Sequence, residues 1–141
     1  MEALTNYYTT HNEDARLTSK HGMVEFLTTI HYIEKYLKPG MRILEIGAGT
    51  GRYSHYFAQN GYDVDAVELM ECNIEVFKAN TKDGENITVQ QGDAVDLQNI
   101  PSEQYDITLL FQIVGERPNA FKLKDGRLLK EYFMQKELKK K

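Results

Sequence analysis

The stretch Arg42 to Gly51, Arg-Ile-Leu-Glu-Ile-Gly-Ala-Gly-Thr-Gly, constrains this chain more than any other. It begins as a short apolar run suited to a buried strand and ends with glycines at 47, 49 and 51. Glycine has no Cβ, so such a run lets the backbone turn tightly and approach a ligand closely. A helix starting near Gly51 and Arg52 would turn its unpaired N–H groups and positive dipole end toward that bend. Asp63 to Leu69 reads as a second strand, with Glu68 near its carboxyl end, 21 residues after Gly47. An acidic side chain there is placed to hold the two hydroxyls of a ribose. Strand, glycine turn, helix, strand and terminal acid together predict a site for a nucleoside-containing ligand. The plainer alternatives are a tight turn that binds nothing and an exposed acid at a strand end.

The rest of the chain supplies a frame for that site. From Ser19 to Leu37 the apolar positions Met23, Phe26, Ile30, Ile33 and Leu37 recur at three and four, which predicts a helix with one buried stripe. Pro39-Gly40 stops it. After the glycine turn a helix carries Tyr53, Tyr56 and Phe57 on one side and ends near Asn60-Gly61. A further helix is expected from Cys72 to Ala79, with Ile74 and Phe77 inward, then a third strand at Ile87 to Gln91. Residues 95–104 read as a loop or a single helical turn. Tyr105 to Phe111 reads as a fourth strand, apolar almost throughout and so suited to burial on both faces. Strands alternating with helices at this spacing argue for an α/β fold with a parallel sheet. Beyond it, Asp125 is placed to cap a helix through Leu128, Leu129, Tyr132 and Phe133, so 125–138 is expected to be helical.

Composition removes several classes of function. A chain of 141 residues with net charge -4 has room for one core and no bulk attraction for nucleic acid or an anionic membrane. No apolar run approaches the ~20 residues needed to span a bilayer. The single cysteine, Cys72, excludes an internal disulfide, and His11, His21, His31 and His55 are not spaced as a metal site. The N-terminus lacks the basic and apolar regions of a signal peptide. The expectation is a cytoplasmic protein with no metal.

The ordered motifs resemble those of the class I S-adenosylmethionine-dependent methyltransferases. Glu45-Ile-Gly-Ala-Gly-Thr-Gly51 is similar to their first motif, Glu68 to their ribose-binding acid, Gly92-Asp93-Ala94 to their adenine-binding segment, and Tyr105 to Leu110 to their fourth strand. The resemblance implies a Rossmann-like three-layer sandwich with a mostly parallel sheet and S-adenosyl-L-methionine as cofactor. It implies that Glu45 orients the turn and reaches toward the methionine amino group, while Gly47, Ala48, Gly49 and Gly51 line the methionyl part and ribose. Glu68 would take the ribose hydroxyls, Leu69 would lie against adenine, and Asp93 and Ala94 would bind its edge. Phe111 would line the pocket, and Arg16 would pair with the cofactor carboxylate. A structural hydrogen-bonding role competes for Glu45. No catalytic residue is singled out.

The resemblance covers 23–111, leaving 1–22 as a lead-in and 112–141 as an atypical tail. The family has further strands after the fourth, in the order 3-2-1-4-5-7-6, whereas the tail shows no strand pattern; the sheet is expected to be truncated after the fourth strand. The activity implied is direct methyl transfer to a small-molecule or unknown acceptor, with a non-catalytic cofactor- or partner-binding remnant as the alternative. Truncation would also leave the fourth strand at a margin with no charge or proline to blunt it. That predicts a homodimer, a swapped element or added pairing by Ala120 to Leu123 at this edge.

Overall fold

A computed structural model of the chain describes residues 20–101, 104–122 and 128–140. Residues 1–19 of the lead-in, Arg16 among them, lie outside the described residues, and 20–22 already belong to the first helix. Helix α1 (Lys20–Glu34) precedes strand β1 (Arg42–Ile46), helix α2 (Arg52–Gln59), strand β2 (Asp63–Glu68), helix α3 (Glu71–Asn80) and strand β3 (Ile87–Gln91). Two long strands follow, β4 (Ile107–Lys122) and β5 (Leu128–Lys140). The sheet order is β3-β2-β1-β4-β5. The first four strands are parallel, with Ile43 opposite Val64 on one side and Ile107 on the other, and β5 runs antiparallel to β4.

Strand pleating sends alternate residues to opposite faces, and the two faces of this sheet are covered differently. Ile43, Val64, Ile107 and Leu109 pack with Phe26, Ile30 and Ile33 of α1 and with Tyr53 and Phe57 of α2. Phe77 of α3 joins Ala48 and Ala66 on the same face. Leu44, Ile46 and Val67 point the other way, where Leu97, Ile100 and Tyr105 from the β3–β4 connection cover them. The outer layer on that side is therefore a loop, because 92–106 holds no apolar helical stripe to lay against it. This is the mostly parallel Rossmann-like α/β sandwich expected, with one helical layer among the described residues.

Two details of the expected elements change. Met23 was assigned to the buried stripe of α1 but is 39% exposed, and the stripe begins at Phe26 with Thr29 buried beside it. Helix α1 ends before Leu37, where Tyr36 and Leu37 donate to Ile33 and Glu34 in a closing turn ahead of Pro39.

The larger correction concerns the tail. The helix expected over 125–138 is not found; Leu128–Lys140 is a strand instead. A helix cannot satisfy a sheet edge, whereas an antiparallel strand supplies the missing backbone partners of β4 directly. The fourth strand is also longer than expected and starts at Ile107 rather than Tyr105. Ile107 to Ile113 lie opposite Lys140 to Met134, so the bare β4 edge on which the homodimer expectation rested is closed within one chain. Pairing there comes from β5, not from Ala120 to Leu123. Pro118 falls where the register shifts between Arg117 and Phe121. A residue without an N–H is tolerated at such an interruption of the ladder.

Candidate cofactor site

The site lies at the carboxyl ends of β1 and β2, where a parallel sheet of this kind opens. The backbone of the glycine turn is anchored to β2. Gly47 and Ala48 both donate to the Val67 carbonyl, at 2.8 and 3.1 Å, and Gly49 donates to Glu68 Oε2 at 2.7 Å. Gly51 donates back to Ala48, and His55 donates to Gly51 to begin α2. The amides of 47, 48 and 49 are thus spent on the protein itself.

The glycines serve two different purposes. Gly47 and Gly49 have positive φ, 73° and 57°, and a Cβ built on either would have no atom within 4 Å. Their missing side chains leave backbone that a ligand can approach. Gly51 also has positive φ, but a Cβ there would fall 2.3 Å from the Phe77 ring. Gly51 is glycine because α3 packs onto the turn, with the Phe77 ring where a Cβ would lie.

Glu68 ends β2 with its side chain only 6% exposed. Besides Gly49, it accepts the Met70 amide at 3.0 Å and Asn73 Nδ2 at 3.1 Å, both on Oε1. An ionised carboxylate has about four acceptor positions, so among the described residues one is left, on the oxygen that faces the glycine turn. Glu45 is deeper, at 1% exposure, and accepts a hydrogen bond from the Ser54 hydroxyl on α2. Burial pushes its carboxyl up to about 7, against the opposing bonds from Ser54 and with a small addition from the Glu68 charge. The structure therefore shows Glu45 tying the strand under the turn to α2.

The remaining expected site residues are less enclosed. Leu69 is half-buried, and its carbonyl accepts the Gln91 side chain at 3.0 Å. Asp93 and Ala94 are exposed, with Asp93 Oδ1 accepting the Val95 amide in a local turn. Phe111 lies on β4 opposite Lys136, and only its backbone placement is described. Asn73 and Ser54 were missed by sequence reasoning. Each is a polar residue on the inward side of its helix, beside Ile74 and Phe77 or beside Tyr53 and Phe57, and that break in the apolar pattern was the available signal.

The methyltransferase-domain family matches residues 43–124, more than half of the chain. The chain belongs to the class I S-adenosylmethionine-dependent methyltransferases. Among the similar curated proteins, the ribosomal protein L11 methyltransferase of Dictyoglomus turgidum is 39% identical over 83 residues, 57% of this chain and 26% of that protein. The S-adenosyl-L-methionine-dependent Diels-Alderase iccD of Talaromyces variabilis is 30% identical over 100 residues, 67% of this chain and 34% of that protein. A solved structure concerned with conversion of a disulfide bond into a thioacetal group during echinomycin biosynthesis aligns with TM-score 0.50 and 26% identity, covering 57% of this chain and 34% of that one. The chain thus spans about a third or less of the curated relatives it matches.

The methyltransferase site fits S-adenosylmethionine, the cofactor of the family. The open Cβ positions at Gly47 and Gly49 suit close approach of the sulfur-bearing amino-acid arm, and Glu68 keeps an acceptor position for a hydroxyl. A pyrophosphate, by contrast, needs a nest of free N–H donors, and the turn has already directed three of its donors to Val67 and Glu68.

Proposed function

We propose that this chain binds S-adenosylmethionine between the glycine turn and Glu68 and serves direct methyl transfer to a small-molecule acceptor. The observation that carries the reading is the donor pattern of the turn, which suits a nucleoside with an amino-acid arm on sulfur better than the pyrophosphate of a dinucleotide. Bound S-adenosylmethionine would supply an already activated methyl group. The chain's own part is to hold it: Glu68 takes the ribose hydroxyls, Gly47 and Gly49 admit the methionyl arm, and Glu45 braces the turn through Ser54. Leu69, Asp93 and Ala94 border the adenine, while Phe111 and Arg16 complete the methionyl end. Methyl transfer demands little acid–base help, because alignment of nucleophile, methyl carbon and sulfur supplies most of the rate. Calorimetry of the chain with S-adenosylhomocysteine is expected to give one site per chain and weaker or no binding of NADH. Tighter binding of NADH would reverse the reading.

One observation favours a second reading. Strand β4 is paired with the antiparallel β5, at the place where the family resemblance implies further strands. In that reading the chain binds the cofactor without transferring its methyl group. Turnover of a small acceptor by the chain alone rules it out.

A further inference from the structure

We infer that Asn73 is a positioning residue of the nucleoside site, orienting Glu68 so that its carboxylate selects ribose over 2′-deoxyribose. The inference rests on the reading of Glu68 as the ribose acid and adds a residue outside the glycine turn and the strand end. Asn73 is the third residue of α3 and is 6% exposed. A buried amide is costly unless it is hydrogen-bonded, and this one lies among apolar neighbours on its own helix, Ile74 and Phe77. Its side chain meets Glu68 Oε1 at 3.1 Å. A carboxylate only accepts, so the atom facing it must be the amide nitrogen.

The start of α3 explains why such a brace is present. Met70 occupies the N-cap and makes no side-chain cap. Glu68 itself takes the Met70 amide, and Asn73 joins it on the same oxygen. The torsion that rotates a glutamate carboxylate is broad and soft. With two donors from α3 on Oε1 and the Gly49 amide on Oε2, the plane of the carboxylate is held from both ends. The one acceptor position left over then faces the glycine turn. Without Asn73, Oε1 regains an open acceptor, only the Met70 and Gly49 amides hold the carboxylate, and the direction offered to a ribose hydroxyl is less firmly fixed.

The test is calorimetry of the whole chain with S-adenosylhomocysteine and with its 2′-deoxy analogue. The unsubstituted chain is expected to prefer the ribose ligand by about tenfold or more, the equivalent of one charge-assisted hydrogen bond. Asn73→Leu is expected to lose about tenfold in affinity for S-adenosylhomocysteine and less than about twofold for the analogue, so that the preference collapses. Equal losses for both ligands, the mark of a merely structural role, overturn the inference, as does no loss for either. Because leucine at a buried site can impair folding, Asn73→Ser is measured in parallel, with the same split expected. The side-chain amide resonances of Asn73 in the unsubstituted chain give a readout that needs no variant. They are expected to move on adding S-adenosylhomocysteine and much less with the analogue; no movement overturns the inference. Glu68→Gln separates the two levels. If it keeps the full ribose preference, the reading of Glu68 fails and the inference with it. If it abolishes the preference while Asn73→Leu retains it, only the role of Asn73 fails.

Discussion

Glu68 and Asp65 stand three residues apart on the same strand, and the two ends of the sheet treat them in opposite ways. At the amino end, Asp65 is held by side chains: Arg42 at 2.6 Å, the Tyr105 hydroxyl at 2.9 Å and the Thr88 hydroxyl. These donors come from β1, from β3 and from the residue pair just before β4, so the cluster ties the strands together. At the carboxyl end, Glu68 is held by two backbone amides and the single amide of Asn73, with an acceptor position to spare. A carboxylate that gathers side-chain donors from neighbouring strands is a staple. One held mainly by backbone amides of a glycine turn and a helix start, beside backbone that no Cβ covers, has the setting of the proposed ligand site. The difference lies in what surrounds each acid, not in the acid.

The largest expected effect marks the limit of that contrast, because part of the carboxyl end is packing. Gly51→Ala adds a Cβ 2.3 Å from the Phe77 ring in a left-handed conformation, and overpacking plus backbone strain are expected to cost about 3–4 kcal/mol of stability. Gly47→Ala, with nothing within 4 Å, is expected to cost only the strain, about 1–2 kcal/mol. Urea unfolding of the two variants checks the difference, and equal losses would mean that the Phe77 contact is not real.

Glu45 gives the next effect, and its pH dependence runs opposite to that of Asp65. Burial raises the Glu45 carboxyl from 4.5 to about 7. Its stabilising contribution is complete below the ordinary carboxylate value and is lost as the pH rises toward 7. Glu45→Gln, which keeps shape without charge, is expected to raise stability by about 2–3 kcal/mol at pH 8 and to change little at pH 4. For Asp65, burial alone would raise the carboxyl, but the Thr88, Tyr105 and Arg42 donors outweigh it and hold it below its ordinary value. Its contribution is present above that value and fades as the pH falls through the lowered one. Thermal melts of the unsubstituted chain and of Glu45→Gln between pH 4 and pH 8 read both signs; parallel curves for the two proteins would contradict the buried charge.

The two smaller effects form a crossed pair. Glu68→Ala removes a charge-assisted acceptor, worth roughly 1.5–3 kcal/mol, and is expected to weaken S-adenosylhomocysteine by one to two decades. Asp65→Asn is expected to cost about 1 kcal/mol of stability, the value of one partly solvated hydrogen-bonded acid, and to leave ligand affinity unchanged. Calorimetry and urea unfolding on both variants are enough. A loss of ligand affinity in Asp65→Asn would erase the distinction between the two ends.

Much of this architecture was legible in the chain because its signals are local. The apolar runs at 42–46, 63–68 and 87–91, the glycines of the turn and the helix stop at Asn60-Gly61 each act within a few residues, and strands and helices appear there. The place of Glu68 at a strand end was legible. Its partners were not, since Gly49 reaches it only when β1 pairs with β2, and Asn73 only when the following helix turns back onto the strand. The tail shows the same divide more sharply: the helical spacing of Leu128, Leu129, Tyr132 and Phe133 is a local preference, and an unpaired strand elsewhere overrides it.

The sequence by itself determined the order of strand, turn, helix and acid, because backbone freedom at glycine and the periodicity of apolar side chains are properties of neighbouring residues. Tertiary structure alone decided which glycine is open and which faces Phe77, which donors each acid meets, and that 128–140 is a strand. Each of those outcomes depends on atoms far apart in the chain: the Phe77 ring against Gly51, Thr88 and Tyr105 against Asp65, and the open edge of β4 against the last described residues. A buried carboxylate and an unpaired ladder are both costly until a distant partner satisfies them, and only the folded chain brings that partner within reach.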